Sequence, residues 1–175
     1  PWLWSVVSAE GSVLDLKSQP IDPLAVQPPR VTVLLFTRSD CPISNRYAPE
    51  VQRIVQRFTP AGVDFWLVYA DPDEEPEAIR QHLRDYGYDL PVARDMEHEL
   101  VRLTGARVTP EAVVFNTEMR MVYRGRIDNR YEDFDVKRNT PSKNDLTEAL
   151  QSVLAGADPA TPRTKAVGCY IADLR

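Results

Sequence analysis

Val31-Thr32-Val33-Leu34-Leu35-Phe36-Thr37-Arg38-Ser39-Asp40-Cys41-Pro42-Ile43-Ser44 is the stretch on which the fold turns. Its first seven residues are β-branched and apolar with almost no alternation, the pattern of a strand buried on both faces in a parallel sheet. A polar turn follows at once. Beyond it, Ile43, Tyr47, Val51, Ile54, Val55 and Phe58 recur near helical spacing, which predicts a helix over 43–58. Pro42 suits the first helical position. Cys41 therefore falls at a strand-to-helix turn, at or just before the helix start, where free backbone N–H groups and the helix dipole stabilise a thiolate. Ser44, one turn on, can offer its hydroxyl to the sulfur. Asp40 opposes it, because a neighbouring carboxylate disfavours a second negative charge. The polar neighbours Arg38, Ser39, Asp40 and Asn45 speak against an inert, packed cysteine.

Outward from this point, Val63–Ala70 reads as a second strand and 74–87 as a helix, with Pro76 in its first turn and Gly87 as its stop. A short helix is expected over 96–104. Strands over 112–115 and 121–124 are joined by Asn116-Thr117-Glu118 as a hairpin, and Asp145–Leu154 is a last amphipathic helix. Upstream, residues 12–17 alternate like an edge strand, and the prolines at 20, 23, 28 and 29 mark a loop. The order β, α, β, α, α, β, β, α implies an α/β fold, a central mixed sheet flanked by helices. Its first two strands are parallel and its last two antiparallel. Pro49, inside the first helix, should bend it.

The chain has 175 residues, 43% hydrophobic and 27% charged, with net charge −5 and pI about 5.1. Lys and Arg are outnumbered and unclustered, which excludes a nucleic-acid partner. No apolar run approaches the roughly 20 residues of a membrane span. The two cysteines, Cys41 and Cys169, form no CxxC pair. His82 and His98 lack partners at metal-ligand spacing and read as polar helix positions. Arg124 and Arg126 share one strand face and read as a solvated strand end, with an anion anchor as the alternative. Residues 1–9 form either a signal-peptide remnant, since Val7-Ser8-Ala9 before Glu10 resembles a cleavage site, or an N-terminal arm packing Trp2 and Trp4. The first reading implies an extracytoplasmic location, periplasmic or secreted. The second leaves the cytoplasm open. Residues 10–156 form the domain and 157–175 a tail carrying Cys169.

Phe36, Cys41, Ala48 and Pro49 stand where the thioredoxin-like superfamily has its strand-end aromatic, its first active-site cysteine and its Ala-Pro pair. The chain resembles that superfamily over roughly residues 10–155. Pro49 then matches the family's kink proline. Val108-Thr109-Pro110-Glu111, ahead of the hairpin, matches the family's cis-proline segment. The resemblance makes Pro110 cis and places it opposite Cys41, with Pro42, Thr109 and Glu111 around an extended substrate. The long span between Cys41 and Pro110 resembles the redoxin branch, which includes periplasmic thioredoxin-like proteins and peroxiredoxins.

One departure matters. The second cysteine of the family motif is Ser44 here, a CxxS motif, so the usual resolving thiol is missing. Cys169 is either a resolving thiol delivered by the tail, as in two-cysteine peroxiredoxins, or a small buried hydrophobe. Peroxiredoxins also carry Thr or Ser three residues before the reactive cysteine and a proline further upstream; Arg38 and Leu34 stand there instead. The resemblance therefore implies a thiol–disulfide oxidoreductase acting through Cys41, with Ser44, Pro110 and Cys169 in the catalytic group. A thiol peroxidase with Cys169 resolving, and a non-catalytic binding module of a larger redox protein, are the alternatives. Partners are a protein or small-molecule thiol or disulfide and, because the ending resembles redoxin modules of larger bacterial chains, a fused or neighbouring cytochrome-c-like domain. No cofactor is expected. A metal such as copper would want a second soft ligand, which Ser44 does not supply.

Overall fold

A computed structural model describes residues 13–25, 30–134 and 136–172. The expected N-terminal arm over 1–9 lies outside the described residues. In chain order the elements are β1 (Val13–Leu14), β2 (Val31–Thr37), α1 (Pro42–Phe58), β3 (Val63–Tyr69), α2 (Pro76–Tyr86), β4 (Val92–Asp95), α3 (Glu99–Thr104), β5 (Val108–Thr109), β6 (Glu111–Phe115), β7 (Met121–Gly125), β8 (Tyr131–Asp133), β9 (Val136–Lys137), α4 (Asp145–Leu154) and β10 (Cys169–Tyr170).

Six strands form one sheet in the order β1-β4-β3-β2-β6-β7. β2 runs parallel to β3, and β3 parallel to β4, while β6 is antiparallel to both β2 and β7. β2 thus sits inside the sheet, and its uninterrupted apolar run is explained by cover on both faces. Val31, Val33 and Leu35 join one core cluster with Ile43, Tyr47, Val51, Ile54 and Phe58 of α1 and with Leu146 and Leu150 of α4. Leu34 and Phe36 join a second cluster with Leu100 and Val101 of α3 and with Ile171 of the tail. This is the thioredoxin-like architecture, a mixed sheet flanked by helices, with an N-terminal edge strand and a C-terminal tail. Among the described residues no helix is long and apolar enough to cross a membrane.

Several expectations are corrected. β4 was not expected: its sequence Val-Ala-Arg-Asp has neither alternation nor a β-branched run, and pairing with β1 and β3 makes it a strand. α3 begins at Glu99, later than expected. His98 before it takes φ 58°, and the Asp95 carboxylate accepts the Val101 N–H at 2.9 Å, so the helix starts beyond this turn. His82 does lie on α2 and His98 caps α3, but both are buried. The His82 ring nitrogens are on the Tyr69 hydroxyl at 2.7 Å and Asn45 Oδ1 at 2.8 Å, and His98 Nε2 meets the Ala70 carbonyl at 2.8 Å. The arginines of the strand end are half-buried and tied into the fold. Arg124 donates to the carbonyls of Thr104 and Gly105 at 3.0 and 2.6 Å, at the end of α3. Arg126 ties β7 to the start of α4 through Asp145 at 2.8 and 3.3 Å.

Beyond α4 the chain turns back along the sheet. Asp158 pairs with Arg120 at 2.7 Å. The Arg124 N–H donates to the Pro162 carbonyl at 3.0 Å and the Thr164 N–H to the Arg124 carbonyl at 3.1 Å. Gly125 is required here: at φ 156° its Cβ would lie 2.5 Å from the Thr164 carbonyl oxygen. The tail then reaches β5, where Cys169 pairs with Thr109 and Tyr170 with Val108 in an antiparallel register.

Candidate active site

The last residue of β2 and the first turn of α1 bring Cys41 to the middle of the sheet's carboxyl edge. Cys41 is the N-cap of α1 in extended conformation (φ −81°, ψ 110°), and its sulfur accepts the Ser44 N–H at 3.5 Å. Pro42 follows, exposed, at the first helical position, where its missing N–H costs nothing. The turn before the cysteine is held from both sides. The Glu74 carboxylate accepts the Ser39 N–H at 2.9 Å, and Asn45 Nδ2 donates to the Ser39 carbonyl at 2.8 Å. Burial raises the Glu74 pKa above its ordinary value, against the hydrogen bond from Ser39. Asp40, which the sequence sets against a thiolate, is exposed and paired with Arg38 at 2.6 Å; Arg38 also meets Asp71 at 3.1 Å.

Across from the helix start, the Thr109 carbonyl lies 3.1 Å from Cys41 Sγ and accepts from it when the sulfur is protonated. The Thr109–Pro110 peptide bond is cis. Glu111, expected beside a substrate, is engaged inside the fold: its carboxylate accepts the Arg107 N–H at 2.8 Å and meets Arg124 at 3.4 Å. These two partners tie Glu111 to the segment before the cis-proline and to β7.

Cys41 is 0% exposed. The expectation of an open thiol is thus corrected, because the tail lies against it. Both cysteines are free thiols; Cys169 pairs with Thr109, whose carbonyl faces Cys41 Sγ, and packs against the core cluster that holds Cys41. Burial alone would raise the Cys41 pKa. The Cys169 thiol, the Ser44 hydroxyl and N–H, and the Thr109 side chain, polar groups gathered around the sulfur, outweigh it and hold the pKa below its ordinary 9.0. Among the described residues the buried Ser44 and Thr109 hydroxyls have no hydrogen-bond partner. A thiolate at Cys41 is the anion nearest to hand for both. Cys169 moves the other way: burial, then its hydrogen bond to Cys41 and the charge there, push its thiol up to about 12. The pair therefore titrates as a unit, losing its first proton from Cys41 and keeping the second on Cys169.

The structure brings together Cys41, Pro42, Ser44, Thr109, Pro110 and Cys169. Sequence reasoning missed Glu74 and Asn45, which hold the turn, and Gly168 and Ile171, which dock the tail. The residues around Cys169 carried a signal, a glycine and an apolar end, without a partner for it to point to.

Residues 12–124 match the AhpC/TSA family. No curated protein is a significant match to the chain. Among solved structures, an uncharacterized conserved protein from Geobacillus kaustophilus is similar at 24% identity and TM-score 0.75, over 92% of this chain and 87% of that one. A hypothetical protein from Sinorhizobium meliloti is similar at 22% identity and TM-score 0.77, over 91% and 88%. A secreted Mycobacterium tuberculosis disulfide oxidoreductase homologous to E. coli DsbE is similar at 16% identity and TM-score 0.56, over 82% and 93%. At these identities the likeness is one of fold.

Proposed function

The chain belongs to the AhpC/TSA family, and on that premise we propose that it is a thiol–disulfide oxidoreductase with Cys41 as nucleophile and Cys169 as the second thiol. The observation that carries this reading is the convergence of the two cysteines on Thr109. A helix-capping thiol with a lowered pKa lies 3.1 Å from the carbonyl of Thr109, and the second thiol is held opposite that same residue on a paired strand. In the reducing direction, the Cys41 thiolate attacks one sulfur of a protein or small-molecule disulfide. A mixed disulfide forms, and the other substrate sulfur leaves as a thiolate and takes a proton. Cys169 then loses its proton to solvent and attacks Cys41 Sγ, and the second substrate thiolate departs. The substrate has gained two electrons, and Cys41–Cys169 is a disulfide.

The raised pKa of Cys169 fits this order. Part of the rise comes from the hydrogen bond and charge at Cys41, which vanish once Cys41 is in a mixed disulfide. The resolving thiol is thus released for attack only after the nucleophile has been used. Ser44, in the usual place of the second thiol, is a hydrogen-bond donor to the sulfur in this reading, and Pro110 borders the substrate edge. A thiol–disulfide pair suits an oxidising compartment, so the reading includes an extracytoplasmic location, checked by finding the protein in the periplasmic or secreted fraction of its own cells.

The same thiol pair favours a second reading, a peroxidase in which Cys169 resolves a Cys41 sulfenate. Arg38, three residues before Cys41, is engaged by Asp40 and Asp71 and does not replace the peroxiredoxin hydroxyl. Insulin reduction with dithiothreitol as donor decides. The oxidoreductase precipitates insulin with the wild type and not with Cys41→Ser. Hydrogen peroxide consumption without insulin reduction would establish the peroxidase instead.

A further inference from the structure

We propose that the tail strand occupies the edge on which the substrate binds, and that its sequence Gly168-Cys169-Tyr170-Ile171 is the template of that substrate. The substrate is an extended cysteine-bearing protein segment, with glycine immediately before the cysteine and an aliphatic residue two places after it. The proposal rests on the reading of Cys41 as a thiol–disulfide nucleophile and adds what that nucleophile accepts.

Four features of the docked tail define the site. The strand adds to β5 by main-chain pairing, with Cys169 opposite Thr109, whose carbonyl also faces Cys41 Sγ at 3.1 Å. Any extended segment that lays its cysteine on Cys41 in this register meets the same edge. Gly168 passes so close that a Cβ built there would lie 1.9 Å from the Thr109 carbonyl oxygen and 2.6 Å from its carbon. The clash is with backbone at the centre of the site, so no larger residue fits at this position without moving the strand. Ile171 donates its N–H to the Arg107 carbonyl at 3.0 Å and is 5% exposed, in the cluster with Leu100, Val101 and Ala106. The position after the cysteine is unconstrained, for Tyr170 is 80% exposed.

The docked strand is short and its tether is independent. β10 has two residues, whereas the segment around Pro162–Thr164 is bonded separately to β7. The end of the tail can therefore leave the edge while the chain upstream stays attached. It then competes with substrate as an intramolecular ligand at high effective concentration. Substrate and Cys169 alternate on one edge: the substrate segment binds with the tail displaced, and the returning tail carries Cys169 to the mixed disulfide and displaces the product.

The test uses the full chain carrying Cys169→Ser, in which Cys41 is the only thiol. The probes are synthetic peptides with the sequence of residues 165–172, their cysteine held as a mixed disulfide with thionitrobenzoate, whose release is followed by absorbance. The expected result is that the native peptide reacts at least about tenfold faster than the peptides with Gly→Val or Ile→Asp at the positions of Gly168 and Ile171, while Tyr→Lys at the position of Tyr170 changes the rate less than about twofold. Adding Gly168→Val to the protein speeds its reaction with the native peptide, because its own tail no longer competes; if that variant does not fold, the peptide ranking on Cys169→Ser carries the test. The small disulfide 5,5′-dithiobis(2-nitrobenzoate), which needs no strand, is the control. Reaction with the control but equal rates for all four peptides overturns the template and leaves the oxidoreductase standing. Failure to react with either overturns the reading of Cys41 and the template with it.

Discussion

Cys41 is held by the centre of the sheet and Cys169 by its rim. Cys41 follows a seven-residue strand buried on both faces by one short turn and caps a 17-residue helix whose apolar side fills the larger core cluster. Moving its sulfur would mean moving β2 or α1. Cys169 stands on a two-residue strand, kept in place by a glycine's close approach and one buried isoleucine. The pKa values divide the same way, one thiol drawn below its ordinary value and the other pushed up to about 12. The contrast teaches a division of labour. The nucleophile is fixed and preorganised, while the presence of its partner depends on a local docking equilibrium that can open without unfolding the domain.

The contrast can be broken at its strong end first. Cys41→Ser is expected to reduce disulfide-reductase turnover to background in the insulin assay, because nothing else in the chain replaces a thiolate at the helix start. Cys169→Ser is expected to spare the first attack and stop the cycle, so a mixed disulfide with substrate accumulates on Cys41 and appears in the intact mass. Gly168→Ala sets a methyl 1.9 Å from the Thr109 oxygen and undocks the rim alone. Cys41 then alkylates about tenfold faster with iodoacetamide, and stability to denaturant falls by about 1–2 kcal/mol, well short of a core lesion. The electrostatic link is finer. Cys169→Ala removes the polar group that does most to lower the Cys41 pKa. The thiolate is then less favoured, and the inflection of Cys41 alkylation against pH moves upward, while Cys169→Ser, which keeps an O–H donor, moves it less. Smallest of all, Arg120→Ala removes an exposed ion pair with Asp158 and is expected to leave both Tm and the Cys41 alkylation rate unchanged.

The centre was legible in the sequence, and the rim was not. An unbroken apolar strand, a cysteine, a proline and a helical apolar spacing sit within about thirty residues, and each rests on local chain physics. The Cys41 turn and a helix running through Pro49 follow from them. β4 and β10 have no periodicity of their own; they are strands because another strand is there to pair with, a fact of long-range register that local pattern does not carry. Arg124 and Arg126 misled for a related reason. A charged residue at a strand end reads as solvated or as ligand-binding until one sees the helix terminus or backbone N–H it serves. Cys169 was visible as a candidate, but its choice between resolving thiol and buried hydrophobe depended on where a strand of two residues docks.

The central claim is that Cys41 and Cys169 are one redox pair within a single chain. The most direct test is to oxidise the protein mildly at low concentration and block remaining thiols with N-ethylmaleimide, then compare the intact monomer mass with that of a sample reduced before blocking. The account predicts no adduct on the oxidised monomer and two on the reduced one, matching the two cysteines of the chain. Two adducts on the oxidised monomer, or disulfides only between chains, would contradict it.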